Sequence, residues 1–365
     1  MHGHRFYLHY GCPFVLVVWF ALVSLLQVAP AQSSLGQFSP ATYGEVVPRD
    51  VREMYDRGLR FLIKTQNESG GWSDGQQGPG VTGLALMVML ASGEDPNYDF
   101  TNLPIRRALR NIILAQNADT GYLGNSMYHH GFGMLGLAEA YGAVDESNLW
   151  LAGQGAYPGQ GGQHRSIGQA LELAVRSALT SQKKNPLGAW RYSPDATDAD
   201  TSVSGAVLVG LLAARNAGIE VPDAAIDRAI AYYTSVTSTS GQVAYSGGMG
   251  GFGESLARTS IASLVYSVAR RKDLPQAKAT TRNLTEQLES QPGAYPAYAR
   301  YYQSQALFQA DLEAWQKWNK RLIRQLKSAQ KNDGSFFGQF GPTLETSMSL
   351  LALALNYRFL PIYER

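Results

Sequence analysis

The apolar positions along this chain change character in strict alternation. In one class of segment (49–65, 104–116, 165–182, 223–237, 276–290 and 311–330) they recur every three or four residues among polar ones. In the last of these, Leu312, Trp315, Trp318, Leu322 and Leu326 fall on one helical face. Between them lie segments that are apolar nearly all round: 80–92, 130–142, 201–217, 255–271, 300–310 and 343–358. A helix with one apolar stripe covers a core, whereas a helix apolar on every side is buried inside one. The alternation therefore predicts an all-α protein with six outer and six inner helices. The arrangement expected is a closed ring, an (α/α)6 toroid, with an open superhelix as the alternative. Gly83, Ala85, Gly133, Gly136, Ala138, Gly205, Ala206 and Gly210 lie on the inner segments and permit close packing around a narrow axis.

Each outer segment leads into a turn of the form Gln…Gly-x-aromatic. The turns are Gln66…Gly70-Gly-Trp72, Gln116…Gly121-Tyr122, Gln182…Gly188-Ala-Trp190, a weaker Gly241…Tyr245, Gln291-Pro-Gly293-Ala-Tyr295 and Gln330…Gly334-Ser-Phe336. Their aromatic positions are separated by 50, 68, 55, 50 and 41 residues, so each turn and its two helices form one repeat. The long second interval marks a Gly/Gln-rich insertion at 143–165 without helical period, read as a surface loop or a lid over one mouth of the ring.

Composition adds the compartment. Arg5 and three histidines precede an apolar run from Phe14 to Val28, followed by Ala29-Pro30-Ala31. This is the pattern of a signal peptide over residues 1–31, removed on export to the periplasm or exterior, with a loose linker at 32–48 and no transmembrane helix in the mature chain. The single Cys12 would leave with the leader. The mature chain then has no thiolate for nucleophilic or metal chemistry, and its stability rests on its core. The net charge of +2 has no basic stripe, which argues against nucleic acid as a partner.

Gln66 to Trp72 matches the Q-x-x-x-G-x-W repeat of squalene and oxidosqualene cyclases, and Gln330 to Phe336 matches it with Phe for Trp. Over residues 49–365 the chain resembles the prenyltransferase and squalene-oxidase repeat family, in particular exported bacterial members with the Met127-Tyr128-His129-His130-Gly131-Phe132 stretch. The resemblance implies an α/α toroid whose turn Gln and aromatic residues tie neighbouring helices together. It also implies an apolar, isoprenoid-like small molecule as ligand. No cofactor is expected. A protein partner is not legible.

The stretch from Trp190 to Gly218 brings Asp195, Asp198 and Asp200 to the start of an inner helix, where Asp200, Thr201 or Ser202 can serve as its cap. By resemblance to the D-x-D-D motif of class II terpene cyclases, Asp200 is the general acid and Asp198 its partner, with Thr201 in place of the third acid. Two adjacent carboxylates raise one another's proton affinity, which suits proton donation. Asp195, after Pro194, reads as a turn residue. Other candidates at the same mouth are Tyr128, His129, His130, Glu254, Arg258, Arg300, Tyr301, Tyr302, Thr343 and Glu345. No metal site is expected: His129 and His130 are adjacent and diverge on a helix, and the Cys-containing ligand set of zinc prenyltransferases is absent. Three functions remain open: acid-catalysed isoprenoid cyclisation or isomerisation, a polysaccharide-active (α/α)6 enzyme, and a non-catalytic ligand- or protein-binding toroid. A dry aromatic cavity with Asp200 buried favours the first. A long cleft with two separated acids favours the second. A filled axis with Asp200 capping and exposed favours the third.

Overall fold

A computed structural model describes residues 47–150, 164–247 and 255–363. The leader, nearly all of the linker, most of the insertion at 143–165 and Glu254 lie outside the described residues. The rest is helical, as the alternation predicts: α1 (Arg49–Thr65), α2 (Pro79–Leu90), α3 (Asn102–Leu114), α4 (Met127–Ala140), α5 (Ile167–Lys184), α6 (Thr201–Asn216), α7 (Asp223–Ser235), α8 (Leu256–Val268), α9 (Pro275–Glu286), α10 (Pro296–Ala310), α11 (Leu312–Ala329) and α12 (Pro342–Ala354).

The even-numbered helices form the inner ring. Each packs on the next, and α12 returns to α2. All twelve residues of α2 are buried, so an all-apolar segment gave an all-buried helix. α1 instead buries a single stripe of Val51, Met54, Tyr55, Leu59 and Leu62. The ring is closed, not superhelical: α1 packs on α11 and α12, and the Gln76 N–H donates to the Phe340 carbonyl at 3.0 Å. The inner helices start in two ways. Proline opens α2, α10 and α12, whereas Ser126, Asp200 and Ser255 cap α4, α6 and α8 by accepting backbone N–H groups.

The glutamines of four turns act as stitches. Gln66 Nε2 donates to the Gly70 and Pro104 carbonyls, Gln116 to Gly121 and Ala170, Gln182 to Gly188 and Ala225, and Gln330 to Gly334 and Met54. Each amide thus spans its own turn and the first residues of the next outer helix, and the last joins α11 to α1. The turn glycine allows the approach. Gly70 has φ +86°, and a Cβ there would collide with the Arg107 carbonyl of α3. Gln182→Leu leaves two buried carbonyls and the Arg228 guanidinium, which donates to Gln182 Oε1 at 3.0 Å, without this partner. The expected loss is about 2–4 kcal/mol, measured as a lower denaturant midpoint at unchanged slope. An unmoved midpoint would show that the stitch contributes no net stability.

At the C-terminal ends of the inner helices the chain's last described residues cross the ring. Leu360 and Ile362 are buried. The Ile362 carbonyl accepts from Gln309 Nε2 on α10, its N–H faces Glu139 Oε2 on α4, and residues 361–363 pack on α6.

Candidate functional site

The opposite end of the ring, where the inner helices begin, holds a cavity of about 560 Å³. Its wall comes from the first turns of α2, α4, α6, α10 and α12 and from the turns that precede them. The lining is rich in aromatic residues, with Tyr128, Phe132, Tyr192, Tyr245, Tyr298 and Phe340 among those that face it. Tyr295 stacks on Phe340 with ring centroids 5.4 Å apart. The Tyr128 and Tyr298 hydroxyls meet at 3.3 Å, as do those of Tyr192 and Tyr245 at 3.0 Å. Apolar faces with a few converging hydroxyls are the usual make-up of a small-molecule site.

Asp200 lies behind this wall. Two backbone connections put it there: its N–H donates to the Trp190 carbonyl at 3.1 Å, and the Thr201 N–H donates to the Tyr245 carbonyl at 2.9 Å. The third and fourth turns are thereby laid side by side, with Asp200 opposite Ser246. Asp200 caps α6 through Oδ1, which accepts the Val203 N–H at 2.8 Å. Its side chain is fully buried, and Oδ2 has no hydrogen-bond partner among the described residues. Burial raises its carboxyl pKa to about 6, against the pull of the Val203 N–H, the Arg191 guanidinium and the Ser202 N–H. Asp200 is thus both a cap and a buried acid, while Ser202 and Tyr245, its neighbours in the two turns, face the cavity.

Asp198 does not face Asp200 directly. It is exposed and pairs with Arg191 Nη1 at 2.8 Å, and Arg191 Nε lies 3.9 Å from Asp200 Oδ2. A guanidinium therefore occupies the place where the sequence led us to expect a second carboxylate. Asp195 is an exposed turn residue paired with Lys184 at 2.7 Å.

Of the remaining candidates, Tyr128 and His129 line the cavity. His129 Nδ1 accepts the Gly80 N–H at 3.2 Å, and burial lowers its pKa. His130 is structural. Its Nδ1 accepts the Leu123 N–H and its Nε2 donates to the Ala174 carbonyl, both at 3.0 Å, and burial lowers its pKa to about 4. Tyr301 and Tyr302 are core residues beneath Phe132, to which Tyr301 presents its ring at 6.2 Å. Glu345 is buried under its own turn, where Oε1 accepts the Phe340 N–H at 3.3 Å; burial raises its pKa, with Arg300 nearby opposing this. Thr343 donates to Asp74 at 2.9 Å, and Arg258 Nε donates to the Val243 carbonyl at 2.8 Å.

The sequence reading did not single out Arg191, Tyr192, Ser202, Tyr245 and Tyr298 as site residues. Arg191 and Tyr192 follow directly on Trp190 in the third turn, and Tyr245 is the aromatic of the fourth. The resemblance implies that the turn aromatics are stitches, yet those of the fourth and fifth turns, Tyr245 and Tyr295, line the cavity.

Asp200 and His130 pull stability in opposite directions with pH. The Asp200 pKa is raised from 3.8 to about 6, so its contribution is present below 3.8 and lost as pH rises through 6. The His130 pKa is lowered from 6.5 to about 4, so its contribution is present above 6.5 and lost as pH falls through 4. Each shift corresponds to about 3 kcal/mol, and the two nearly offset in the wild type. Asp200→Asn removes the first effect and keeps the second, and the other shifted groups, His129 and Glu345, act alike in both proteins and drop out of the comparison. The stability difference between wild type and variant is expected to change by about 3 kcal/mol in favour of the wild type between pH 7 and pH 3.5, read from urea titrations. A difference independent of pH would mean that Asp200 ionises as an ordinary carboxylate.

No family model matches this sequence, and no curated protein matches it. Solved structures do share its architecture. The type II terpene cyclase MstE from Scytonema, in its apo form, is 14% identical with a TM-score of 0.57, covering 85% of this chain and 99% of that one. A single-residue variant of the same cyclase with geranylgeranyl dihydroxybenzoate bound as substrate is 15% identical with a TM-score of 0.55, covering 85% and 98%. A D-mannose isomerase is 10% identical with a TM-score of 0.58, covering 86% and 99%. At these identities the likeness is one of fold, and the chain is an all-α toroid of the architecture that a terpene cyclase and a sugar isomerase share.

Proposed function

We propose that this protein binds an isoprenoid chain in the aromatic cavity and isomerises it by proton-initiated cyclisation, with Asp200 as the acid. One observation carries the reading: a fully buried carboxyl group, one oxygen of which has no hydrogen-bond partner, lies directly behind the Ser202 and Tyr245 wall of an apolar cavity lined by tyrosine and phenylalanine. Protonation of a terminal alkene breaks the Asp200 O–H bond and forms a C–H bond, leaving a tertiary carbocation. The next alkene of the same chain captures the cation. Loss of a proton from carbon to the Asp200 carboxylate left by the first step, directly or through a relay, restores an alkene and the acid together, so the net change is an isomerisation. The faces of Tyr192, Tyr245, Tyr298 and Phe340 stabilise the cation, and the apolar wall keeps water from quenching it. The fold shared with a cyclase that takes a geranylgeranyl substrate supports this reading.

A polysaccharide-active site needs two carboxyl groups flanking the substrate. Among the described candidates Asp198 is paired outside the cavity and Glu345 is folded under its turn, which leaves that reading without support. A non-catalytic binding role uses the same cavity and differs only in the part played by Asp200.

The test is to incubate the purified protein with squalene and with geranylgeranyl and farnesyl compounds in D2O. Mass spectrometry should show a cyclised product carrying one deuterium on carbon per initiation. Bound but unchanged substrate would replace the cyclase reading with the binding one, and neither binding nor turnover would overturn both for these compounds.

A further inference from the structure

Arg191 is the one cation that the described residues place against Asp200, and its hydrogen bond goes elsewhere. Nη1 bonds the exposed Asp198 carboxylate at 2.8 Å, while Nε stays 3.9 Å from Asp200 Oδ2, an oxygen without a hydrogen-bond partner. The guanidinium carbon lies 5.9 Å from the Tyr192 ring centroid and 5.6 Å from that of Tyr245. The hydroxyls of these two tyrosines are joined to each other, so the cation is braced at the cavity rim. We infer that Asp198 is a positioning residue: it holds the Arg191 guanidinium off Asp200, so that the buried carboxyl group holds its proton to a higher pH than it would in contact with that cation.

An opposite charge brought into full contact with a carboxylate favours its ionised form. Were Arg191 to close the gap to Asp200, the acid form would persist only at lower pH. An exposed ion pair is weak by itself, but here the bracing rings confine the guanidinium, and a modest pull decides which carboxylate it bonds. The other titratable groups facing Asp200 are Tyr128 from α4, Tyr232 and Tyr233 from α7, and Tyr245 from the fourth turn. Burial raises the pKa of every one of these hydroxyls, so all are neutral at ordinary pH and do not compete for the cation. The consequence for proton donation rests on the function proposed above; the charge arrangement does not.

The experiment therefore reads the carboxyl group itself. Asp200 is titrated in the purified protein by infrared difference spectroscopy or carbon NMR, its signal identified by its absence in Asp200→Asn. Asp198→Asn is expected to move the titration down by about one pH unit or more, as Arg191 closes on Asp200. Arg191→Gln is expected to move it up. Removing the Asp198 charge also acts directly through space, so the double variant Asp198→Asn/Arg191→Gln decides between the two causes. Positioning predicts that Asp198→Asn has little effect once Arg191 is gone. An equal shift with and without Arg191, or no shift in either background, overturns the inference. The titration needs no substrate, so the inference stands or falls apart from the cyclase reading. If wild type turns over, Asp198→Asn is expected to shift the pH–rate profile to the acid side in the same way.

Discussion

Asp200→Asn is expected to abolish proton-initiated turnover while leaving the ring folded. The amide keeps an oxygen where Oδ1 now accepts the Val203 N–H, so the cap of α6 survives; asparagine is as good a cap as aspartate. What it removes is the acidic proton. Loss of a positioned acid lowers rates by roughly 10²- to 10⁴-fold, and alkene protonation has no other described donor with a comparable position. Ligand binding in the cavity should be retained, because the aromatic wall is untouched. Asp200→Ala is the contrasting variant: it loses the proton and the cap together and is expected to cost about 1 kcal/mol of stability. Measuring product formation beside ligand binding separates the two properties. Turnover undiminished in Asp200→Asn would rule this residue out as the donor.

A large loss of stability is expected from Gly131→Ala. Inner helices α4 and α6 meet backbone to backbone. A Cβ on Gly131 would lie 2.6 Å from the Ala206 carbonyl carbon and 2.7 Å from the Val207 nitrogen, and one on Gly210 would lie 2.8 Å from the Gly131 oxygen. These are main-chain atoms of a buried helix and cannot swing aside as a side chain can. The methyl group must push α4 away from α6 at a cost of about 3 kcal/mol. Tyr128 and His129 stand just above this contact and line the cavity, so ligand affinity should fall with stability. Gly142→Ala is the control. It has φ +82° but open space around it, and only the left-handed backbone counts against it, at about 1–2 kcal/mol. Denaturant titration of both variants checks the expectation. Equal losses would mean that the close helix approach is not what constrains Gly131.

Hydrophobic period carried most of this architecture because each helix buries a face that its own sequence encodes. α11 shows its stripe openly in Leu312, Trp315, Trp318, Leu322 and Leu326, and α2 is apolar throughout. The glutamine turns were legible for a related reason: each makes its bonds within its own turn and to the next outer helix. The site was less legible because it depends on contacts between turns distant in sequence. Nothing local to residues 190–192 says that they lie beside 243–246, yet that juxtaposition buries Asp200 and braces Arg191. Two acids at a spacing of two residues resembled a carboxylate pair. The chain's path instead sends Asp198 to solvent and Asp200 inward. His130 looked like a site residue on account of its type, and only its two backbone partners show it to be a tie between α4 and its surroundings.

The stitch from Gln330 to Met54 and the pairing of Lys327 with Asp50 at 2.7 Å join the last outer helix to the first. In an open array of repeats the end units have one neighbour each and fray before the middle. In this ring every unit has two neighbours, so no repeat is a natural starting point for melting, and loss of one interface removes support from both sides. Unfolding should then be a single cooperative event. A ligand seated against five inner helices at one mouth would raise the melting temperature of the whole ring, including the far end that it never touches. A thermal shift read from any buried tryptophan, such as Trp315 on α11, becomes a label-free report of whether the cavity is occupied.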